Sequence, residues 1–288
     1  MWRYTSYIQR GLSHIRRDTE CQDAVNIREN EACIIAALAD GLGSLPYSRI
    51  AAETAVQEIC RFFLGLEKRL QEENTDQLKH DLLLRVQQAV QEKAEKETIS
   101  ISMMDCTICF AYICKKDGWA VSGYLGDGAV LIFTDQGVQR QADNNISANG
   151  TCALMDRNAE ANFEIHFWNP AETAVLGFIL TSDGLEGELY LKALTNVKQI
   201  AADYFNVLVL DENPEKWLKD KIEALTAAGG FEDDISIAVL SRANAPVTLA
   251  PDPTWLCSCG ARNQLQHTYC CKCGMDFTYL YQHICFED

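Results

Sequence analysis

Five acidic sites lie where an apolar run meets a glycine or a turn. In "LADGLGS" the run stops at Asp40, in "YLGDGAV" at Asp127 and in "ILTSDGLEG" at Asp183. "CQDAVNI" places Asp23 at the mouth of another run, and "GGFEDDISIAVL" places Asp233 and Asp234 just before one. Any one of these reads as a turn, because Asp-Gly is a common turn dipeptide. Taken together, sites that each mark the point where a strand enters or leaves a sheet converge on one end of a core. Carboxylates gathered there repel one another, and few bases lie near them in sequence. A hard divalent cation resolves the repulsion: Mg²⁺ or Mn²⁺ prefers oxygen ligands, and two-metal sites hold their ions about 3.5–4 Å apart. Glycine beside each ligand lets backbone and water approach closely.

Such a site needs strands to carry it. Residues 32–39, 106–114, 119–125, 129–134, 173–181 and 234–240 are β-type runs, separated by turn residues such as "KKDG" and "TDQG". Helical periodicity appears in a consecutive pair, residues 48–66 and 76–97, and again over 189–205 and 214–228. Strands joined by tight turns are antiparallel, so the pattern predicts sheets with helices packed outside rather than a doubly wound parallel sheet. No internal repeat or low-complexity tract is present.

Composition narrows the function classes. The chain has 288 residues, 48% of them apolar, and no run approaches the roughly 20 residues a membrane span needs. The leader "MWRYTSYIQRGLSHIRRDTE" carries charge throughout and has no apolar segment of signal-peptide length, which points to the cytoplasm. Most of the 13 cysteines sit inside apolar segments such as "CTICFAYIC", as small buried hydrophobes suited to a reducing compartment. A net charge of −16 repels a phosphate backbone and argues against nucleic acid as a partner.

The ordered set Gln22-Asp23, Asp40-Gly41, Gly126-Asp127-Gly128, Ser182-Asp183-Gly184 and Asp233-Asp234-Ile235-Ser236 resembles the metal-dependent Ser/Thr protein phosphatase family of type 2C, over roughly residues 9 to 241. Each motif alone is weak, and the order is what makes the set specific. Thr107 in "MMDCTICFAYI" resembles the start of that family's central hairpin, and "GLSHIRRDTECQDA" resembles the leader of a bacterial branch. The resemblance implies an α+β fold with two stacked antiparallel sheets, a β-sandwich flanked by helix pairs in four α-β-β-α layers. It implies that Asp40 bridges two Mn²⁺ or Mg²⁺ ions while Gly41 offers its carbonyl. Asp183 and Asp233 then hold one ion, Asp23 orders the waters on the other, and Asp127 belongs to a third, weaker position. The implied chemistry is direct in-line attack on phosphorus by a water shared between the ions, with no covalent enzyme intermediate. Its substrates are phosphoserine and phosphothreonine proteins, with a cognate kinase as the expected partner system and a monomer as the expected state.

Two positions depart from the family pattern. Where many members have His after Asp-Gly, this chain has Leu42, which leaves leaving-group protonation to a metal-bound water. Where the phosphate-holding arginine is normally found, the chain has Asp18, so the role passes to Arg16 or Arg17 just upstream. His14 is a further group that could reach the pocket, and Cys21 reads as packing.

The phosphatase domain spans residues 1–242, residues 243–254 form a Pro-rich linker, and residues 255–288 form a Cys-rich tail. In "WLCSCGARNQLQHTYCCKCG", Cys257 with Cys259 and Cys270 with Cys273 make two knuckles, each followed by glycine. Tetrahedral Cys₄ zinc takes such a pair, and so short a segment needs metal to supply its folding energy. The tail resembles short zinc ribbons and predicts one structural Zn²⁺, with Cys271, His267, His283 and Cys285 as spare donors. The rival to turnover is a phosphatase-like domain that binds without catalysis. A calcium-binding module is excluded by the lack of an EF-hand spacing. Residues 143–165 read as a flap that governs substrate choice.

Overall fold

The computed structural model describes residues 1–65, 75–142, 151–191, 194–229 and 231–242, together with residues 244, 246–249, 254–256, 262–264, 269, 272 and 274. The fold follows from how its strands are covered. One sheet contains β2 (Ala24–Glu29), β3 (Cys33–Ala39), β4 (Ile108–Cys114), β5 (Ala120–Leu125) and β8 (Glu164–Trp168), in that order. The second runs β1 (Arg3–Gln9), β12 (Ile235–Ser241), β9 (Val175–Thr181), β6 (Ala129–Thr134), β7 (Gly137–Ala142). Every pairing in both is antiparallel.

All seven residues of β3 are buried, so its sequence shows no polar alternation. Period-two geometry nevertheless sorts them. Ile34, Ala36 and Leu38 face the other sheet, where they meet Val130, Ile132, Phe178, Leu180 and Leu240. Cys33, Ile35, Ala37 and Ala39 face outward, beneath α2 (Ser48–Gly65) and α3 (Thr75–Glu97). On the second sheet Ala129, Leu131, Phe133 and Ile179 face outward against α5 (Ala201–Leu210) and α6 (Pro214–Ala227). The result is four layers, α-β-β-α. The stacked rings of Phe133 and Phe205, 3.9 Å apart, join sheet to helix. Gly177 lets α5 come that close, since a Cβ there would sit 2.0 Å from the Leu240 carbonyl oxygen and 2.7 Å from the Phe205 ring.

The six β-type runs of the sequence are the six interior strands. The strands it did not display as runs, β1, β7 and β8, are sheet edges, as is β2, which showed only at its mouth. Edge strands are half solvated and carry polar residues that resist pairing with other chains, so their apolar signal is thin. The helical reading of 189–205 is corrected in its first half. Tyr190–Leu191 (β10) and Leu194–Val197 (β11) form an antiparallel hairpin, and helix begins only at Ala201. Thr195 and Val197 are β-branched and flank Asn196, a poor helix former, so local preference and tertiary packing both favour strand. The leader holds a short helix, α1 (Leu12–Arg17), and the later part of the expected flap is α4 (Ala159–Asn162) followed by β8.

Residues 246–249 of the proline-rich stretch lie against α5. Asn206 bonds the Val247 backbone on both its NH and CO at 2.7 Å, and Leu249 is buried. Beyond them, β13 (Thr254–Leu256) pairs antiparallel with β14 (Arg262–Gln264). The four cysteines expected to bind zinc, and the first part of the expected flap, lie outside the described residues. Among the described residues no helix is long and apolar enough to cross a membrane.

Phe178 is fully buried between the sheets. Phe178→Ala should cost about 3–5 kcal/mol, read as a lower denaturation midpoint in urea with an unchanged slope.

Candidate active site

Strand ends from both sheets meet at one end of the sandwich. Asp40 follows β3, Asp127 sits in the turn from β5 to β6, and Asp183 opens the turn after β9. One ligand oxygen from each of these three carboxylates lies within 4.8 Å of the other two, a group that could hold a metal ion. Register brings them together. Thr181 pairs with both Ala129 and Ile237, so the β9 exit and the β6 and β12 entries share one level. On the other sheet Ala39 pairs with Ala24, which sets Asp40 beside Asp23.

The backbone around Asp40 is tightly held. Its carbonyl accepts from Thr107 N at 2.8 Å, and Gly41 bridges to Cys106. A Cβ on Gly41 would meet Ser48 Cβ at 2.7 Å and the Gln22 carbonyl oxygen at 2.8 Å, so only glycine lets the chain turn there. Gly126, next to Asp127, has φ +104° and leaves room for the Thr107 side chain. Asp127 in turn accepts from the Thr151 hydroxyl.

The electrostatics are those of an uncompensated acidic cluster. Burial pushes the Asp23 carboxyl up to about 7 against the pull of the Ser236 hydroxyl, and the charge of Asp234 adds to the rise. Neither Asp23 oxygen has a hydrogen-bond partner of normal geometry among the described residues. Burial also raises Asp40 well above the usual carboxylate range, reinforced by the charges of Asp23, Asp183 and Asp127. Half-buried, with only oxygen to offer and with buried Asp23 beside it, this set fits a hard divalent cation.

Asp233 does not belong to the group of three. It is exposed, and its carboxylate accepts from Asp234 N at 2.9 Å. Asp234 is the buried neighbour that organises the region, and sequence reading gave it no role of its own. It accepts from Gly11 N at 2.8 Å and Gln22 N at 2.7 Å, and pairs with His14 Nδ1 at 2.7 Å. These bonds tie the start of β12 to the leader and to the residue before Asp23. The available signal was the doubled "DD" ahead of a strand, where one carboxylate faces out and the next must face in. His14 is accordingly buried in that anchor. Arg16 is exposed and pairs with Glu232, while Arg17 is exposed on the same helix. Cys21 is half-buried, and burial pushes its thiol far up, so it stays protonated. Asp105, raised to about 6 chiefly by burial, accepts from Met155 N and Cys106 N and so fastens the segment that returns over the site.

Comparison with known proteins agrees with this geometry. The family model of protein phosphatase 2C matches residues 10–223, and the chain belongs to that family. The serine/threonine-protein phosphatase 3 of Escherichia coli K12 is 25% identical over 253 residues, which are 83% of this chain and 97% of that protein. Among solved structures, a bacterial serine phosphatase matches with a TM-score of 0.59 at 12% identity, covering 86% of this chain and all of that one. A serine/threonine phosphatase of S. agalactiae matches with a TM-score of 0.57 at 18% identity, over 84% of this chain and 99% of that one.

The raised carboxylates make metal-free stability depend on pH. An acid whose folded pKa exceeds its unfolded value holds its proton better in the native state. Its ionisation therefore weakens the fold as pH rises from about 4 to about 7. In EDTA the protein should lose on the order of 3 kcal/mol between pH 5 and pH 8, and Asp40→Asn should melt at or above the parent at pH 8. Thermal melts of both proteins across that range check it. A variant that melts well below the parent would make Asp40 a structural turn residue.

Proposed function

We infer that this chain is a metal-dependent phosphoprotein phosphatase that hydrolyses phosphoserine and phosphothreonine. The observation that carries the reading is the convergence of Asp40, Asp127 and Asp183, with buried Asp23 beside them, at the open end of the fold. Divalent cations bound there supply Lewis-acid charge that lowers the pKa of water and stabilises the developing negative charge of an in-line displacement. The protein's own contribution is placement. Asp40 is fixed by Thr107 and Gly41, Asp183 by its turn, and Asp127 by the Thr151 hydroxyl, so the donors are held on rigid strand ends. Asp234 and His14 act through the backbone, holding Gln22 and with it Asp23. Asp233, on the rim, is the candidate to complete one ion's ligand set with the Gly41 carbonyl.

A binding domain without turnover is the weaker reading, because a fold free of catalysis gains nothing from buried acids that destabilise it. We take Mn²⁺ or Mg²⁺ as the physiological ions, two or three of them, on the strength of the all-oxygen donor set. A cytoplasmic phosphoprotein, placed in a signalling system with a kinase, is the matching substrate class. The zinc ribbon rests on the spacing of Cys257, Cys259, Cys270 and Cys273. The antiparallel β13–β14 hairpin and the φ of +74° at Gly274, directly after Cys273, support it.

Hydrolysis of p-nitrophenyl phosphate and of a phosphothreonine peptide should require added Mn²⁺ or Mg²⁺ and vanish in EDTA. Asp40→Asn and Asp183→Asn should each lower kcat by at least about 100-fold. Full turnover by stripped protein in metal-free buffer would refute the reading. Elemental analysis should find about one tightly held zinc per chain, lost on Cys257→Ser or Cys273→Ser and kept on Cys271→Ser.

A further inference from the structure

Asp40 and Asp183 are held in different ways. Asp40 is gripped from the neighbouring strand, through Thr107 N and through the bridge of Gly41 to Cys106. Asp183 opens a loop that folds on itself. Glu186 N donates to the Asp183 carbonyl at 2.7 Å, Leu189 N to the Leu185 carbonyl at 3.1 Å and Gly187 N to the Tyr190 carbonyl at 2.7 Å. The charge of Asp183 acts on Asp40, so repulsion pushes this loop away from the cluster. A side chain that must be held to within about 0.5 Å of its working position needs support behind it.

That support begins at the β10–β11 hairpin. Lys198, which directly follows β11, donates through its backbone N to the Leu189 carbonyl at 2.8 Å and through its ammonium to the Gly187 carbonyl. The hairpin is thereby tied back to the loop that carries Asp183. Leu185, Leu189 and Tyr190 of the same loop are fully buried in the apolar cluster that α5 covers.

The chain beyond the last strand of the sandwich reaches both places. Leu249 is buried in that same cluster, and Val247 packs against it. The two bonds between Asn206 and the Val247 backbone lock this stretch to α5 in both directions. Further on, β13 packs against β11, the strand that leads into Lys198. A tether between independent units needs reach alone. A buried leucine, a doubly bonded backbone and a packed strand fix this segment in place instead.

We propose that residues 246–249 and β13 hold the β10–β11 hairpin and so position the Asp183 loop for its cation. Asn206, Val247 and Leu249 are positioning residues, acting on the ligand set through the loop behind it. The inference rests on the metal-site reading and gives the C-terminal segment a part in the site.

The test uses the full chain. Mn²⁺ affinity is measured by calorimetry, amide exchange at Gly187 and Lys198 reports the loop, and melts in EDTA report stability. Leu249→Ala and Asn206→Ala should each weaken Mn²⁺ binding about 2- to 30-fold and speed exchange at Gly187 and Lys198. Exchange at Thr107, whose amide holds Asp40, should stay as in the parent, and KM for a phosphothreonine peptide should be unchanged once Mn²⁺ saturates. Val86→Ala is the control, since Val86 is buried in α3 on the opposite helical layer. It should lower the melting temperature and leave Mn²⁺ affinity and the exchange of Gly187 and Lys198 as they are. The proposal is overturned if Leu249→Ala and Asn206→Ala melt lower yet bind Mn²⁺ as the parent does, because the segment then only packs. It is equally overturned if Val86→Ala weakens Mn²⁺ binding as much, because the loss then reports stability alone. A parent that binds no Mn²⁺ would defeat the metal-site reading, and exchange at Gly187 and Lys198 would still decide whether the segment holds the loop.

Discussion

Mutual repulsion among carboxylates at one end of the sandwich is the constraint around which the molecule is arranged. Asp40 and Asp23 come from one sheet, Asp183 from the other, and Asp127 from the turn that joins the two. Left alone, these charges push the two sheets apart at that end. The inter-sheet core of Ile34, Leu38, Phe178, Leu180 and Leu240 opposes the separation through buried apolar surface. Asp234 opposes it through bonds from the β12 entry to Gly11 and to Gln22, at the start of the β2 edge. Stability is thus supplied away from the site, which lets the site keep acids that repel one another.

Asp234 and Asp233 show how sharply neighbouring residues can differ. Strand geometry turns one carboxylate into the interior, where it receives two backbone donors and His14, and the other toward water. A buried carboxylate with three donors is a structural anchor. An exposed one keeps its oxygens open to solvent. Identical chemistry at consecutive positions therefore serves two ends, and the direction of the side chain alone decides which.

Asp40, Asp127 and Asp183 were legible in the sequence because each abuts both an apolar run and a glycine, so that strand end and acid are written in the same few letters. The interior strands were legible for a related reason: covered on both faces, they read as unbroken apolar runs. What the letters did not display is whatever depends on distant partners. The polar edges β1, β7 and β8 are recognisable only by what they pair with. Asp234 gains its role from a leader more than two hundred residues away.

The strand order has a bearing on the birth of the protein. β1, the first strand made, pairs with β12, and β12 is the last strand of its sheet to be made. The N-terminal strand must therefore wait while the intervening chain is synthesised, and its closure is among the most sequence-distant contacts in the fold. The same late strand brings Asp233 and Asp234 to the cleft. A ribosome-bound chain that has not yet released residues 235–241 has its other carboxylates without their anchor. Closing the second sheet and setting the anchor under Asp23 are therefore one event, because both wait for β12.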